Sequence, residues 1–201
     1  SRVDLEAAGA EFVFLTHFSE LAAGIHFSGE IVRMAAQETG DPQLVTRSDA
    51  GDSWTIDPFA DDAALAIETA KGLVIILGCA HAGLINTVEW FQQNLDQPRI
   101  HAIIGGTHLG PASDEQFAAT VAYLAGLEFD LLGVSHCTGQ IRSAQLHAKF
   151  PSKVFFANVG TTVKIVGPGP LRGQSDTLRR PSPRYPNDSL ARSTHAGPLH
   201  F

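Results

Sequence analysis

Three times in this chain a short apolar run ends in small residues followed by a histidine. The segments lie at 73–81, 100–108 and 131–136, and their histidines are His81, His108 and His136. Each apolar run predicts a buried strand, and a helical pattern follows each histidine. The carboxyl ends of parallel strands meet at one sheet edge, so the three imidazoles are expected to converge there. Because neutral imidazole is a common metal ligand, the pattern predicts a metal site.

The turn around His81 is built from small residues. Gly78, Ala80, Ala82 and Gly83 flank it, which lets the backbone pass close to whatever the imidazole holds. A plainer alternative is a polar turn whose histidine only caps the following helix.

A closed structural zinc site is a further alternative. Its ligands would be Cys79, His81, His136 and Cys137. Against it, the C-x-H and H-C spacings are short for both members of each pair to bind one metal.

The remaining pattern favours an α/β fold, because strand, turn and helix recur three times. Residues 63–69 and 73–77 predict an antiparallel hairpin, and 40–52 a loop or hairpin connection. Ser113 with Gln116 three positions later predicts a capped helix start. Further strands are expected at 11–15, 154–157 and 161–166.

Composition limits the functional classes. A length of 201 residues predicts one domain. No apolar run approaches the ~18 residues of a membrane span, so no membrane partner is expected. The first ten residues lack the pattern of a secretory signal. Cys79 and Cys137 are the two cysteines of the chain, and a cytoplasmic setting with free thiols is favoured over a disulfide.

Charge and composition change after residue 166. Residues 167–201 are rich in Pro, Arg and Ser and carry a net charge of +3, whereas the whole chain carries −7. Such a segment buries too little apolar surface to fold, so it is expected to be a disordered tail behind a domain at 1–166. The acidic body argues against nucleic acid as a partner, since phosphate contacts need Lys and Arg.

Taken together, these motifs resemble the metallo-β-lactamase superfamily. The branch is that of the 7,8-dihydropterin-6-methyl-4-(β-D-ribofuranosyl)aminobenzene 5'-phosphate synthase-like proteins. The matching stretches are G-C-A-H-A-G-L-I-N-T-V, I-I-G-G-T-H-L, S-H-C-T-G, G-E-I-V-R and D-P-F-A-D-D, within roughly residues 10–166. The resemblance implies an α/β fold, namely the C-terminal half of a metallo-β-lactamase αββα sandwich.

The resemblance also implies a divalent metal centre, with zinc as the expected ion. His81 and His136 match later metal ligands of the superfamily, and His108 stands where many relatives place a bridging aspartate. Other residues are expected to orient the ligands or contact substrate; these are Cys79, Asn86, Thr107 and Thr138. Arg33 is a candidate for binding a substrate phosphate or carboxylate, with a plain surface arginine as the alternative.

One motif of the superfamily has no counterpart here: the early metal-binding pattern His-x-His-x-Asp-His. We therefore expect a chain that lacks the first half of the fold. It should bind at most one metal, where the complete fold binds two, and its partner would be the missing N-terminal half.

The resemblance implies a transferase acting on small molecules. It would join a dihydropterin methyl group to a ribofuranosylaminobenzene phosphate. One alternative is a metallo-hydrolase of phosphate or other esters. A second alternative, from another class, is an inactive remnant with a binding role.

Overall fold

A computed structural model of the chain describes residues 1–48 and 50–165. The predicted disordered tail at 167–201 lies outside these residues, and so does the predicted boundary after residue 166. Within the described ranges, no helix is long and apolar enough to cross a membrane.

Helices and strands alternate along the second half of the chain, as the sequence predicts. In chain order the elements are α1 (Arg2–Ala7), β1 (Ser19–Ala22), β2 (Ile25–Phe27), β3 (Val45–Arg47), β4 (Trp54–Ile56), β5 (Ala64–Thr69), β6 (Gly72–Leu77), α2 (Leu84–Leu95), β7 (Ile100–Gly105), α3 (Asp114–Gly126), β8 (Phe129–Val134), α4 (Gln140–Lys149) and β9 (Val154–Phe156). A 3-10 turn, His136–Thr138, lies between β8 and α4.

Seven of these strands form one mixed sheet in the order β1-β2-β5-β6-β7-β8-β9, while β3 and β4 pair separately. β5 and β6 form the predicted antiparallel hairpin, with Ala64 opposite Leu77. From β6 to β9 neighbouring strands run parallel. The carboxyl ends of β6, β7 and β8 therefore share one edge of the sheet, which is where all three histidine turns begin.

The middle of β6 is buried on both faces of the sheet. Leu73, Val74 and Ile75 are each 0% exposed, and consecutive strand residues point to opposite faces. Val88 and Phe91, which the sequence places at helical spacing, are also completely buried on α2. The strands that carry the histidine turns are thus held in a well-packed core.

Two predicted strands are absent from the described residues. At 11–15 the chain is irregular, and Phe14 is 73% exposed. Its ring stacks with that of Phe12, and the Arg2 guanidinium lies over both rings, so these side chains contact one another instead of a strand neighbour. Residues 161–165 form no strand either, because Thr161 closes a turn by donating its N–H to the Asn158 carbonyl.

Candidate metal centre

Backbone hydrogen bonds hold the three histidine turns side by side. The Gly106 N–H donates to the Gly78 carbonyl at 3.0 Å, which joins the turns after β7 and β6. The Ser135 N–H donates to the Gly105 carbonyl at 3.0 Å, which joins the turns after β8 and β7. The imidazoles carried by these turns are thereby brought to one edge, as the sequence predicts.

His81 and His108 lie ring against ring, with centroids 4.2 Å apart and planes tilted by 50°. On the other side Phe59 stacks on His81 at 4.2 Å with an interplanar angle of 7°. The Nδ1 atoms of both histidines are buried and have no hydrogen-bond partner. An unpaired buried polar atom is costly, so two such nitrogens in adjacent rings indicate a site for a ligand.

Asp41 fixes the protonation of His108. The His108 Nε2 lies 3.2 Å from the Asp41 Oδ2, and the Asp41 side chain is only 11% exposed. A carboxylate can only accept, so Nε2 carries the proton and the Nδ1 lone pair is free. The pKa of Asp41 is lowered, first by the backbone N–H of Gln43 and then by His108, so the carboxylate stays ionised.

The environment of His81 keeps its ring neutral. Burial lowers the pKa of His81, and His108 lowers it further, against the opposing effects of Asp62 and Asp41. A neutral imidazole offers a lone pair to a metal, whereas an imidazolium has none. The His81 ring can therefore act as a ligand at neutral pH.

Two non-glycine residues at this edge have left-handed backbone conformations, Ala80 with φ +55° and His108 with φ +49°. Such conformations are uncommon outside glycine and cost free energy, and they cluster where a side chain must be aimed at a ligand. Their position beside the two imidazoles agrees with a functional site.

His136 lies in a different group of side chains. Its Nε2 is 3.0 Å from the Cys79 Sγ, and its Nδ1 is 3.1 Å from the Ser135 Oγ. Together with Cys137 these residues place one nitrogen and two sulfur atoms within 4.8 Å of one another. The group, which we call the thiol cluster (Cys79, His136 and Cys137), includes neither His81 nor His108.

The two groups nevertheless touch. The backbone N–H of His108 donates to the Cys137 Sγ at 3.2 Å. The hydroxyls of Thr107 and Thr138 are hydrogen-bonded at 2.9 Å, which ties the turn of His108 to that of His136. Both threonines thus tie the two turns together, and their predicted role in orienting metal ligands stays a prediction. That all three histidines share one metal stays a prediction.

Comparison with known proteins supports a fold assignment. No family model matches the chain. The crystal structure of a metal-dependent hydrolase of the β-lactamase superfamily superposes with a TM-score of 0.64 and 24% identity, covering 77% of this chain and 58% of that one. The chain has the metallo-β-lactamase fold. The resemblance carried by its three histidine motifs is therefore confirmed.

Two curated proteins are similar to the chain in sequence. The metallo-β-lactamase-fold chain is 30% identical over 137 residues to 7,8-dihydropterin-6-methyl-4-(β-D-ribofuranosyl)-aminobenzene-5'-phosphate synthase of Methanocaldococcus jannaschii. It is 37% identical over 70 residues to an uncharacterised protein of the same organism. These matches span 47% and 25% of the two relatives, so the chain corresponds to half of their length or less.

Arg33 supports the loop architecture of this metallo-β-lactamase-fold chain. Its guanidinium donates to the carbonyls of Glu38 at 3.2 Å, Pro58 at 3.4 Å and His81 at 2.8 Å. The side chain therefore clamps the backbone of His81 between two loops. Arg33 also lines the cavity beside His81, where a substrate anion could reach it. Its contact with such an anion stays a prediction.

Glu38 is a site residue that the sequence analysis missed. Its carboxylate accepts from the backbone N–H groups of Ile85 at 2.8 Å and Asn86 at 2.9 Å, which caps the start of α2 from a distant loop. At the N-cap, Gly83 has no side chain, and a Cβ there would lie 1.9 Å from the Glu38 Oε2. Burial raises the pKa of Glu38 to about 6, despite these hydrogen bonds.

Asn86 is completely buried, and its side-chain amide binds the loop that contains Glu38. The Oδ1 accepts from the N–H groups of Met34 and Ala35 at 2.8 Å each, and the Nδ2 donates to the Ala82 carbonyl. Asn86 thus orients the turn that carries His81, and a contact of its amide with substrate stays a prediction.

A cavity of about 290 Å³ opens beside the paired imidazoles. His81, His108 and Asp41 line one part of it, and Ser113 and Gln116 at the start of α3 line another. Ligand cavities in proteins are commonly about this size, on the order of 300 Å³ at the lower end. The cavity therefore has room for a small molecule next to the candidate ligands.

Proposed function

We propose that the chain is the catalytic part of a metal-dependent enzyme that acts on small molecules at the His81–His108 cavity. The observation that carries this proposal is the pair of buried, unpartnered Nδ1 atoms in adjacent imidazoles. A structural histidine normally uses its buried nitrogens in hydrogen bonds within the protein. Here the two nitrogens are left for a ligand that binds lone pairs.

The residues fit a divalent metal, and we propose zinc. Imidazole nitrogens suit zinc among the common ions. Asp41 accepts from the far nitrogen of His108, which is the arrangement that orients metal-binding histidines in many sites. When bound, the metal would polarise a substrate oxygen and stabilise developing negative charge.

The protein's own residues would position the substrate. Phe59 covers one face of His81 and excludes water from it. Arg33 and Glu38 hold the loops on either side of the cavity at fixed distances through backbone contacts. The substrate would enter between these loops and the start of α3, where Ser113 and Gln116 offer polar groups.

For the reaction itself we propose that of the curated relative. The synthase would join a dihydropterin methyl group to a ribofuranosylaminobenzene phosphate, a transfer between two small molecules. The identity of 30% over 68% of this chain supports this choice, and it takes in the three histidine motifs. A second candidate is hydrolysis of a phosphate or other ester, favoured by the hydrolase whose fold superposes.

The test is a side-by-side assay of the zinc-loaded chain with the two synthase substrates and with simple phosphate and carboxylate esters. Product formed only from the paired substrates supports the transferase, and ester cleavage alone supports the hydrolase. His81→Ala and His108→Ala should abolish either activity, while His147→Ala, on the outer surface of α4, should keep it. Turnover that survives loss of both His81 and His108 would refute the proposed site.

The predicted N-terminal partner can be tested in the same assay. An N-terminal half that carries the superfamily motif His-x-His-x-Asp-His is added as a separate chain. We expect metal content and activity to rise, since a two-metal site needs more ligands than this chain provides. Unchanged metal content with full activity of the chain alone would contradict that expectation.

A further inference from the structure

The two cysteines of the chain meet at the edge of the sheet that carries the histidine turns. Cys79 follows β6 and Cys137 follows β8, 58 positions later, and their Sγ atoms lie within 4.8 Å of each other. The Cys137 Sγ also lies 3.5 Å from the Cys79 carbonyl oxygen. Both thiols are free in this structure. Because the sequence contains two cysteines, any disulfide within one chain must join this pair.

We propose that Cys79 and Cys137 are a redox-active pair, which closes to an intramolecular disulfide in the presence of a low-molecular-weight disulfide and reopens in the presence of a thiol. An S–S bond is about 2.05 Å long, so the two sulfur atoms must approach each other by at most about 2.8 Å. A change of rotamer moves a cysteine sulfur by about 3 Å, which is of the same size. The bond is therefore within reach of side-chain rotation in the folded chain.

The backbone around both cysteines leaves space for this bond. Cys79 lies in the turn after β6, and Cys137 lies in the 3-10 turn that ends at Gly139, where φ is +69°. Between them Gly106 has no side chain: a Cβ there would lie 2.6 Å from the Cys137 Sγ and 2.8 Å from the Gly78 carbonyl oxygen. A larger residue at this position would occupy the space through which the Cys137 sulfur reaches the turn after β6.

The reaction is a thiol–disulfide exchange in two steps. One cysteine thiolate attacks the added disulfide, forms a mixed disulfide and releases one thiolate of the reagent. The second cysteine thiolate attacks the protein sulfur of the mixed disulfide, forms the Cys79–Cys137 bond and releases the second thiolate. The protein loses two protons and two electrons, and the reagent is reduced to two thiols that carry both protons. Both cysteine side chains are partly exposed, so a small reagent can reach them.

Closure of the bond changes the contacts of two histidine turns. The Cys79 Sγ lies 3.0 Å from the His136 Nε2, and the Cys137 Sγ accepts from the His108 N–H at 3.2 Å. At least one of these sulfur atoms must leave its position when the two bond to each other. We therefore expect the oxidised chain to be less active than the reduced chain. This consequence rests on the proposed function, whereas formation of the bond does not.

The test equilibrates the 201-residue chain with mixtures of oxidised and reduced glutathione, followed by acid quenching and tryptic digestion without reduction. Trypsin should release residues 72–99 and 100–142, which contain one cysteine each, and a disulfide should join the two peptides. The glutathione ratio at half oxidation gives the effective concentration of the two thiols. It should be at least about tenfold higher in the folded chain than in urea. Cys79→Ser and Cys137→Ser are matched controls, and each should stop at a mixed disulfide with glutathione.

The unmutated chain decides the proposal even where a serine variant fails to fold, as judged by circular dichroism. Three results would each overturn it: a folded chain with glutathione on both cysteines, disulfides that form only between chains, or an effective concentration no higher than in urea.

Activity tests the consequence of the bond. It should fall several-fold on oxidation and return with dithiothreitol. Equal activity of the oxidised and reduced forms would contradict control of the site by the cysteine pair. A chain that is inactive in both forms would count against the proposed function, and the joined peptides would still establish the bond.

Discussion

His101 and His108 lie near the two ends of β7, and each ring is hydrogen-bonded to an aspartate. The His101 Nδ1 donates to the Asp130 Oδ2 at 2.8 Å, and the His108 Nε2 lies 3.2 Å from the Asp41 Oδ2. Asp130 is also bound by Arg99, and His101 is not among the described residues with a buried unpartnered atom. At His108 the second nitrogen is buried and free. A histidine–aspartate pair is therefore common to both ends of β7, and the unused nitrogen is what distinguishes His108 from His101.

His26 refines this comparison. Its Nε2 is 2.7 Å from the Glu68 Oε1, and its Nδ1 is buried without a partner, as in His108. Its ring neighbour, however, is Phe18 rather than a second imidazole. One unused nitrogen cannot hold a metal by itself. Among the histidines that the structure describes, only the His81–His108 pair combines unused nitrogens with a second imidazole nearby.

The largest expected effect is a difference in zinc binding between variants of His108 and His101, at the two ends of β7. In a chain carrying Cys79→Ser and Cys137→Ser, zinc at about a hundred times its Kd should raise the unfolding free energy by about 2.7 kcal/mol. His108→Ala should lose this gain, because it removes a ligand. His101→Ala should keep it. Urea unfolding with and without zinc measures the gain in unfolding free energy in each variant. An equal loss of this gain in His108→Ala and His101→Ala would contradict the proposed difference between the two histidines.

The next effect concerns pH. Glu38 has a folded pKa of about 6, raised from 4.5, so its contribution to stability is complete below pH 4.5 and is lost as pH rises through 6. The loss amounts to about 2 kcal/mol. Glu38→Gln should flatten the stability profile across this window, as measured by urea midpoints at several pH values. The exposed Glu115→Gln on α3 is the matched control and should keep the wild-type slope.

Asp130, at the other end of the sheet, should respond in the opposite direction. Its pKa is lowered, first by the hydrogen bond to His101. Its contribution is therefore present above the unfolded value of 3.8 and is lost as pH falls through the folded value. Asp130→Asn should remove part of the acid destabilisation of the chain below pH 3.8. A variant whose acid limb matches that of the wild type would contradict this assignment.

A smaller effect on stability is expected from the hydrogen bond that joins the turn of His108 to that of His136. Thr138→Val removes the hydroxyl that bonds Thr107 and should cost about 1 kcal/mol of stability. It should also weaken zinc binding, since the turns after β7 and β8 are no longer fixed. Thr120→Val is the control: it removes a buried hydroxyl on α3 that bonds Gln116, away from the turns. Equal zinc affinity in both variants would show that this hydrogen bond does not support the site.

The smallest effect tests a feature predicted from the sequence. Ser113→Ala removes the side-chain cap at the start of α3, where the hydroxyl accepts from the Gln116 N–H at 3.2 Å. It should cost about 1 kcal/mol of unfolding free energy, measured by urea denaturation. Zinc affinity should not change, because the cap touches no candidate ligand. A loss of metal affinity would instead extend the site to α3.

Much of the fold could be predicted because it rests on local pattern. The apolar runs at β6, β7 and β8 and the helical spacing of Val88 and Phe91 repeat at fixed intervals, which indicates strand and helix directly. The runs at 11–15 and 161–166 have similar composition but do not form strands in the described residues. Strand propensity describes a fit to a half-buried surface, and within residues 1–48 and 50–165 neither run pairs with a strand.

The sequence by itself determined which edge of the sheet carries the histidines, because each turn follows its own strand directly. The tertiary structure alone decided how they are grouped. Asp41 reaches His108 across 67 positions, Glu38 caps α2 across 47, and Cys79 meets His136 across 57. Such partners come from loops whose polar residues follow no period. Only the packed fold therefore shows that the rings of His81 and His108 pack together while His136 lies with two thiols.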